Sequence, residues 1–326
     1  MSLGIERFSY TKGLHALGNG AYAWLQPDGS WGWSNAGLIV DSGQSLLVDT
    51  LFDVPLTQAM LQAMRRAEPK ATAKIGTLVN THANADHYNG NECCEGAEII
   101  ASKACLEQMI ADPSSRLATM QANAGSMGLP GKFFQEVFSP FDFAGVTQTL
   151  PTRTFEDHLS LRVGNKLVEL IMVGPAHTAG DTLVYVPDDR LIYTGDILFI
   201  DGTPIMWEGP VSNWIGACDR MLAMDIDTVV PGHGPITSKR GIQAVKSYLE
   251  YITEEARKRF DAGMSAKDAA HDIALGDYDS WGDAERIVVN VATLYREFAG
   301  DHSPANVLEL FGLMAGLYFD RKKRSR

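Results

Sequence analysis

Along the first half of the chain, apolar residues come in short runs broken by turn dipeptides. AYAWLQ (21–26), AGLIVD (36–41) and SLLVDT (45–50), separated by Asp28–Gly29 and Ser42–Gly43, predict β-strands. The period then lengthens. Leu56, Met60, Ala63 and Met64 recur on one helical face, and Pro69 closes that helix. KIGTLVN (74–80) and AEIIAS (97–102) return to strand, and a helix through Cys105 and Met109 follows. Strands resume at LSLRVG (159–164), KLVELIMVG (166–174), TLVYVP (182–187), RLIYTG (190–195) and DIDTVVPG (225–232).

Between these blocks, residues 113–145 lose the pattern. Pro113, Gly125, Gly128, Pro130, Gly131 and Pro140 break them up, which predicts an inserted helical or loop segment, a lid or peripheral packing. Beyond Gly241 the period is helical. IQAVKSYLEYITEEARKRF (242–260) forms one helix, and Ser265 with Asp268 forms a capping box for a short second one. Ile287, Val291, Leu294, Tyr295 and Phe298 share a face of a third, and Ser303–Pro304 predicts the start of the last. The order is strands, helix, strand, helix, insertion, strands, helices. This α+β order fits packed sheets with helices outside rather than strict βαβ alternation. We expect one domain over 1–240 and a helical C-terminal extension over 241–326.

Composition narrows the class. Apolar residues make up 45% of the 326, enough for a sizeable core. The 28 Lys and Arg are outnumbered by 40 Asp and Glu, a net charge of -12, which disfavours nucleic acid and anionic membranes as partners. The basic run at 321–326 reads as a solvated tail. Cys93, Cys94, Cys105 and Cys218 match no zinc-finger spacing and imply no disulfide framework. MSLGIERFSY has no apolar signal-peptide core, and no run reaches the length of a membrane span, so a cytoplasmic protein is expected.

The chemistry collects where apolar runs end. His82, Asp86 and His87 follow TLVN, and His177 follows LIMVG. Asp196 follows LIYTG, and His233 follows TVVPG. Neighbouring strands end at a common sheet edge, so these groups can converge. Imidazole and carboxylate without cysteine suit a catalytic zinc, iron or manganese site better than a structural one. A lone histidine at a strand end is usually a satisfied hydrogen-bonder; the ordered set makes coincidence a poor account.

Taken together, THANADH, AHTAGD, TGDILF, PGHG and the upstream NAGLIVDSGQSLLVDT resemble the metallo-β-lactamase superfamily over about residues 18–240. The resemblance implies an αββα sandwich with its site on one edge. It places His82, Asn84 and His177 at a first metal position, Asp86, His87 and His233 at a second, and Asp196 between them. Asp49 would orient a ligand imidazole, and Asp86 would also orient the nucleophile. His15, His158, His271 and His302 match nothing in the family pattern.

Asn84 stands where the family motif has a second histidine. A neutral amide oxygen is a poorer zinc ligand than imidazole. This shifts the expectation from two equal ions toward an asymmetric pair or a single ion at Asp86, His87 and His233. Because a single-iron oxygenase would use the altered position, oxygenase chemistry is disfavoured. The leading expectation is a metal-dependent hydrolase of a small ester, thioester, lactone or sulfate ester, with one or two zinc ions, or iron or manganese instead. The alternatives are a non-hydrolytic binding or sensing protein and a single-iron oxidoreductase. Trp207 and Trp214, after Asp196, are candidate pocket walls for a substrate with an apolar part. The C-terminal helices are candidates for closing the pocket or for a homo-oligomer contact.

Overall fold

The computed structural model describes residues 2–301, 303 and 305–324. Two sheets face each other. The first runs in chain order: β1 (Gly13–Gly18), β2 (Ala21–Leu25), β3 (Ala36–Asp41), β4 (Gln44–Val48), β5 (Thr77–Val79), β6 (Glu98–Ser102) and β7 (Arg153–Phe155). The second contains β8 (His158–Val163), β9 (Lys166–Met172), β10 (Thr182–Val186), β11 (Leu191–Tyr193) and β12 (Thr228–Val230), in that spatial order. Pairing is antiparallel from β1 to β4 and parallel from β4 to β7; in the second sheet only β11 and β12 run parallel.

Side-chain alternation sorts these strands into layers. Ile39, Leu46 and Val48 point between the sheets and meet Val184, Val186, Leu191 and Tyr193. Leu38, Val40 and Leu47 point outward onto helix α1 (Val54–Ala67), where they meet Met60, Leu61 and Met64. Leu183, Ile192 and Val229 point out of the second sheet, toward α5 (Val211–Ala223) and α6 (Lys239–Asp261). Helices thus flank both sheets, an αββα sandwich.

The insertion is helical. Helix α2 (Lys103–Ala111) precedes it, and α3 (Ser115–Asn123) and α4 (Gly128–Phe138) lie within it. Phe133, Phe134, Phe138, Phe141 and Phe143 gather there around Phe52 and Trp31. At the far end come α7 (Ala266–Asp272), α8 (Ile287–Ala299) and α9 (Val307–Arg324). The Ser265 hydroxyl oxygen accepts from the Asp268 backbone N–H, as the capping box requires. The last helix begins later than Ser303–Pro304 would place it. Asn306 caps it, its side-chain Oδ1 accepting from Glu309 N, while Pro304 lies outside the described residues. These helices share one continuous apolar cluster with the outer face of the second sheet and the insertion.

Candidate metal centre

The strand directions bring the ligand-type groups together. Asp49 follows β4, and His82 follows β5. Asp86 and His87 sit on a single 3₁₀ turn just beyond, at Ala85–His87. From the second sheet, His177 follows β9, Asp196 follows β11 and His233 follows β12. All lie at one edge of the sandwich.

Two glycines make the close approach possible. A Cβ on Gly232 would lie 2.0 Å from Asp196 Oδ1, and one on Gly195 would lie 2.5 Å from Thr81 Oγ1. Gly195 also has φ +49°, a left-handed conformation that glycine adopts without strain. The TGD and PGHG turns therefore interlock only because neither glycine has a side chain.

Hydrogen bonds set the direction of all four imidazoles. His87 Nδ1 donates to Asp49 Oδ2 at 3.0 Å. His177 Nδ1 donates to the Ile205 carbonyl at 2.6 Å, and His233 Nδ1 donates to the Gly29 carbonyl at 3.0 Å. Thr81 completes the set. Its hydroxyl donates to Asp49 Oδ2 at 2.7 Å, so its oxygen accepts from His82 Nδ1 at 3.0 Å. Each Nδ1 is thereby engaged on the outer side, and Nε2 is the nitrogen that faces inward, where it offers a lone pair whenever the ring is neutral.

The inward atoms form two groups, His82–His177–Asp196 and Asp86–His87–His233, each with its ligand atoms within 4.8 Å of one another. Asp196 lies between them. Its Oδ1 is 3.1 Å from His87 Nε2, and its Oδ2 is 3.4 Å from His177 Nε2 and 3.5 Å from His233 Nε2. Asp86 Oδ2 is 3.3 Å from His233 Nε2. Two ligands on a tetrahedral zinc lie about 3.3 Å apart, so the spacing fits. His82 Nε2, His87 Nε2 and Asp196 Oδ1 are fully buried yet make no hydrogen bond. Although His87 Nε2 and Asp196 Oδ1 are close, they do not point at each other. Buried polar atoms are normally satisfied, and cations held in the two groups would account for these three.

Electrostatics agree. Burial raises the Asp196 carboxyl, but the surrounding histidines outweigh it and hold the group well below the carboxylate range. Burial pulls His87 down, but Asp196 and Asp86 push it well above the usual imidazole value. Burial and the positive charge on His87 keep His82 well below that value. The carboxylates thus attract positive charge that some of the imidazoles resist carrying as protons.

Asn84 faces the first group, its Oδ1 3.1 Å from His177 Nε2, a contact that is a hydrogen bond if Nε2 carries a proton and a pair of lone pairs that a shared ion would bridge if it does not. Trp207 is partly exposed, and its backbone N–H donates to the His177 carbonyl. Trp214 is fully buried, its Nε1 donates to the Ile197 carbonyl, and it packs edge-on behind His177 with ring centroids 5.9 Å apart. Trp214 is therefore core, and the expectation that it lines a pocket is corrected: an indole this size is fully desolvated only when it fills a gap between helix and sheet. Of the remaining histidines, His15 bonds Thr11 O, His158 pairs with Glu169, and His271 bonds Lys267 O. His302 lies outside the described residues. The sequence reading missed the roles of Thr81 and of the Gly29 and Ile205 carbonyls. Thr81 was within reach, since it immediately precedes His82; backbone carbonyls carry no side-chain signal.

Comparison with known proteins gives the same answer. The family model for the Metallo-beta-lactamase superfamily matches residues 29–233. The chain belongs to this superfamily. It is 33% identical over 206 residues to the 2,4-dinitroanisole O-demethylase subunit alpha of a Nocardioides species, covering 61% of this chain and 52% of that one. It is 21% identical over 257 residues to a linear primary-alkylsulfatase of a Pseudomonas species, covering 71% and 48%. Among solved structures, a stereoselective inverting sec-alkylsulfatase from Pseudomonas superposes with TM-score 0.67 at 17% identity, covering 91% of this chain and 52% of that one. The chain spans about half the length of each of these relatives. Members of the superfamily bind metal, usually zinc, and the relatives this chain is similar to include hydrolases. Among the described residues no helix is long and apolar enough to cross a membrane.

Proposed function

We propose that the protein is a metal-dependent hydrolase of a small molecule bearing an ester, thioester, lactone or sulfate ester linkage and an apolar part. The observation that carries this reading is the inward convergence of four oriented imidazoles on two carboxylates, with His82 Nε2, His87 Nε2 and Asp196 Oδ1 buried and unbonded. His82, His177 and Asp196 would hold one ion, Asp86, His87 and His233 the other, and Asn84 would offer the first a neutral oxygen. Bound metal supplies Lewis acidity and lowers the pKa of water toward neutrality.

The chain's own residues do the rest. Asp86 retains 13% side-chain exposure, so its carboxylate can accept a hydrogen bond from an incoming water and aim that water's lone pair at the substrate. Asp49, Ile205 and Gly29 keep three imidazoles from rotating, so the site does not reorganise as charge develops. The partly exposed Trp207 beside His177 supplies apolar surface for the substrate's non-reacting part. The names of the similar alkylsulfatases and of the nitroanisole demethylase support a leaving group attached through oxygen.

The test is metal analysis of purified protein together with hydrolysis of a panel of nitrophenyl esters, a thioester, a lactone and an alkyl sulfate. Asp86→Ala and His233→Ala are expected to abolish turnover. Activity equal to wild type in either variant overturns the proposal. A folded wild-type protein that takes up no transition metal on reconstitution would instead favour the binding or sensing reading.

A further inference from the structure

The helical C-terminal region has no part in the proposed chemistry, yet it reaches the metal centre through one segment. Residues 203–207 run from the Asp196 turn toward α5, and the Ile205 carbonyl in this segment holds His177. Nearly every other backbone contact made by the segment goes to the region of α8. Thr203 N donates to the Gly282 carbonyl at 2.8 Å, and Arg286 Nη1 donates to the Thr203 carbonyl at 3.0 Å. Asn290 Nδ2 donates to the Pro204 carbonyl at 2.9 Å, and Met206 N donates to Asn290 Oδ1 at 2.8 Å. Thr293 Oγ1 donates to the Met206 carbonyl at 2.8 Å, and just beyond the segment Val211 N, at the start of α5, donates to Glu297 Oε2 at 3.1 Å.

Arg286, Asn290, Thr293 and Glu297 are spaced four, three and four residues apart. On a helix this is a single stripe. Arg286, Asn290 and Thr293 are buried, at 2%, 1% and 4% exposure. A buried polar stripe on an otherwise apolar helix is costly unless its groups are bonded, and here Arg286, Asn290 and Thr293 all bond the backbone of one segment.

Asn290 occupies the central place. Its carboxamide grips the residues on either side of Ile205, accepting from Met206 and donating to Pro204, and its second N–H bonds the Tyr248 hydroxyl oxygen at 2.9 Å. No hydrogen-bonding capacity is left over except one oxygen lone pair. Aspartate lacks both donors, and alanine lacks everything. With its flanking residues clamped to α8, the Ile205 carbonyl is left facing the opposite way, toward His177.

We propose that Asn290 is a positioning residue for His177: it fixes the Ile205 carbonyl that holds the His177 ring with its Nδ1 protonated, so the C-terminal region completes the metal centre. The consequence for metal binding rests on the functional reading above; the ring geometry does not. The first measurement is therefore the tautomer of His177 in metal-free protein, read from long-range ¹H–¹⁵N correlations. Wild type is expected to show a single form protonated at Nδ1, because the Ile205 carbonyl, 2.6 Å from Nδ1, is a closer acceptor than Asn84 Oδ1, 3.1 Å from Nε2. Folded Asn290→Ala is expected to show a tautomer mixture or a rapidly exchanging Nδ1 proton. Tyr248→Phe removes only the third bond of Asn290 and is expected to match wild type.

The second measurement is zinc affinity against a competing chelator. Asn290→Ala is expected to weaken the ion held by His177 by at least about tenfold, with the Asp86–His87–His233 ion changed less than about twofold. If Asn290→Ala does not fold, Thr293→Val decides, since it keeps the side-chain volume and deletes only the donor to Met206; the expected tautomer change is the same. An unchanged single Nδ1 form of His177 in a folded variant overturns the inference. Wild-type protein that takes up no zinc, iron or manganese, together with the tautomer change in the variant, overturns the functional reading and leaves the positioning role standing.

Discussion

Replacing Asp49 by Asn isolates the orienting role of a carboxylate that touches no ion. Asp49 Oδ1 accepts from Thr81 N at 2.7 Å, and Oδ2 accepts from both Thr81 Oγ1 and His87 Nδ1. An asparagine keeps one acceptor. If its oxygen stays on the backbone N–H of Thr81, its amide nitrogen faces two donors. The reverse orientation sets the amide against a backbone N–H that cannot move. His87 is then driven to the other tautomer, which places a proton where the lone pair should meet the ion. Loss of such a partner costs about 10–100-fold in metal affinity, or about 1.4–2.7 kcal/mol.

Stability of the metal-free protein should respond differently. Burial raises the Asp49 carboxyl above its ordinary value despite the bonds from His87 and Thr81. A folded-state pKa above the unfolded one means that the charged form destabilises the fold at neutral pH. Removing that charge offsets the lost hydrogen bonds, so metal-free Asp49→Asn should lose less than about 1 kcal/mol. The assay is zinc titration against a chelator of known affinity, paired with urea unfolding of metal-free protein. Affinity within twofold of wild type would refute the orienting role. A loss above about 2 kcal/mol in the metal-free protein would show instead that the carboxylate is a structural strut.

Asn84→His restores a third imidazole to the first position and is expected to tighten that ion by roughly tenfold; equal affinity by chelator competition counts against Asn84 facing the ion. Gly232→Ala puts a Cβ 2.0 Å from Asp196 Oδ1, so the turn must move. We expect a loss of about 1–3 kcal/mol by thermal melting and a fall in bound metal, and wild-type behaviour in both would contradict the packing. Burial first, then Asp283, pushes the Glu285 carboxyl from 4.5 to about 7. A raised acid binds its proton more tightly when folded, so the stability it contributes is full below about pH 4.5 and is lost as pH rises toward 7, by at most about 3 kcal/mol. Urea midpoints of wild type and Glu285→Gln should converge at pH 4.5 and diverge by pH 8, the variant being the more stable; parallel curves would refute this.

Much of this molecule was legible in its sequence because its signals are periodic. Strands such as β3 and β4 alternate or stay apolar throughout, and their residues sort onto two faces as expected. The edge strands β1 and β7 were not, since GLHALG has no fully buried residue and RTF has one, and both carry little apolar pattern. Helix α1 was read with Leu56, Met60, Ala63 and Met64 on one face; Met60 and Met64 are buried and Leu56 and Ala63 pack partly buried at its margins, but Thr57 and Leu61, which complete the buried face, were not read. Thr57 is buried because its hydroxyl accepts from Leu51 N and donates to the Asp53 carbonyl, and no hydrophobic pattern encodes that. Helix α5 went unread for a related reason: its stretch looked like a pocket wall, whereas Trp214 and Cys218 face the core. At the site, all the ligand-type side chains were legible as strand-end residues. The carbonyls of Gly29 and Ile205, and Asn290 nearly ninety positions downstream of its partners, were not, because only the fold brings them together.

The division of the ligands between the sheets has a mechanical consequence. His82, Asp86 and His87 hang from the first sheet, and His177, Asp196 and His233 from the second. Each ligand group draws from both. An ion seated in either group is therefore a rivet through the seam of the sandwich, and sliding one sheet past the other by an ångström would break its coordination. Filling both at a thousandfold excess over their dissociation constants would add about 4 kcal/mol per independent site to the force holding that edge shut. Starved of metal, the protein should gape first at this rim, while the opposite rim, where Gly164 N donates to Gln44 Oε1 and Asn165 N to Asp41 Oδ2 across the two sheets, stays shut.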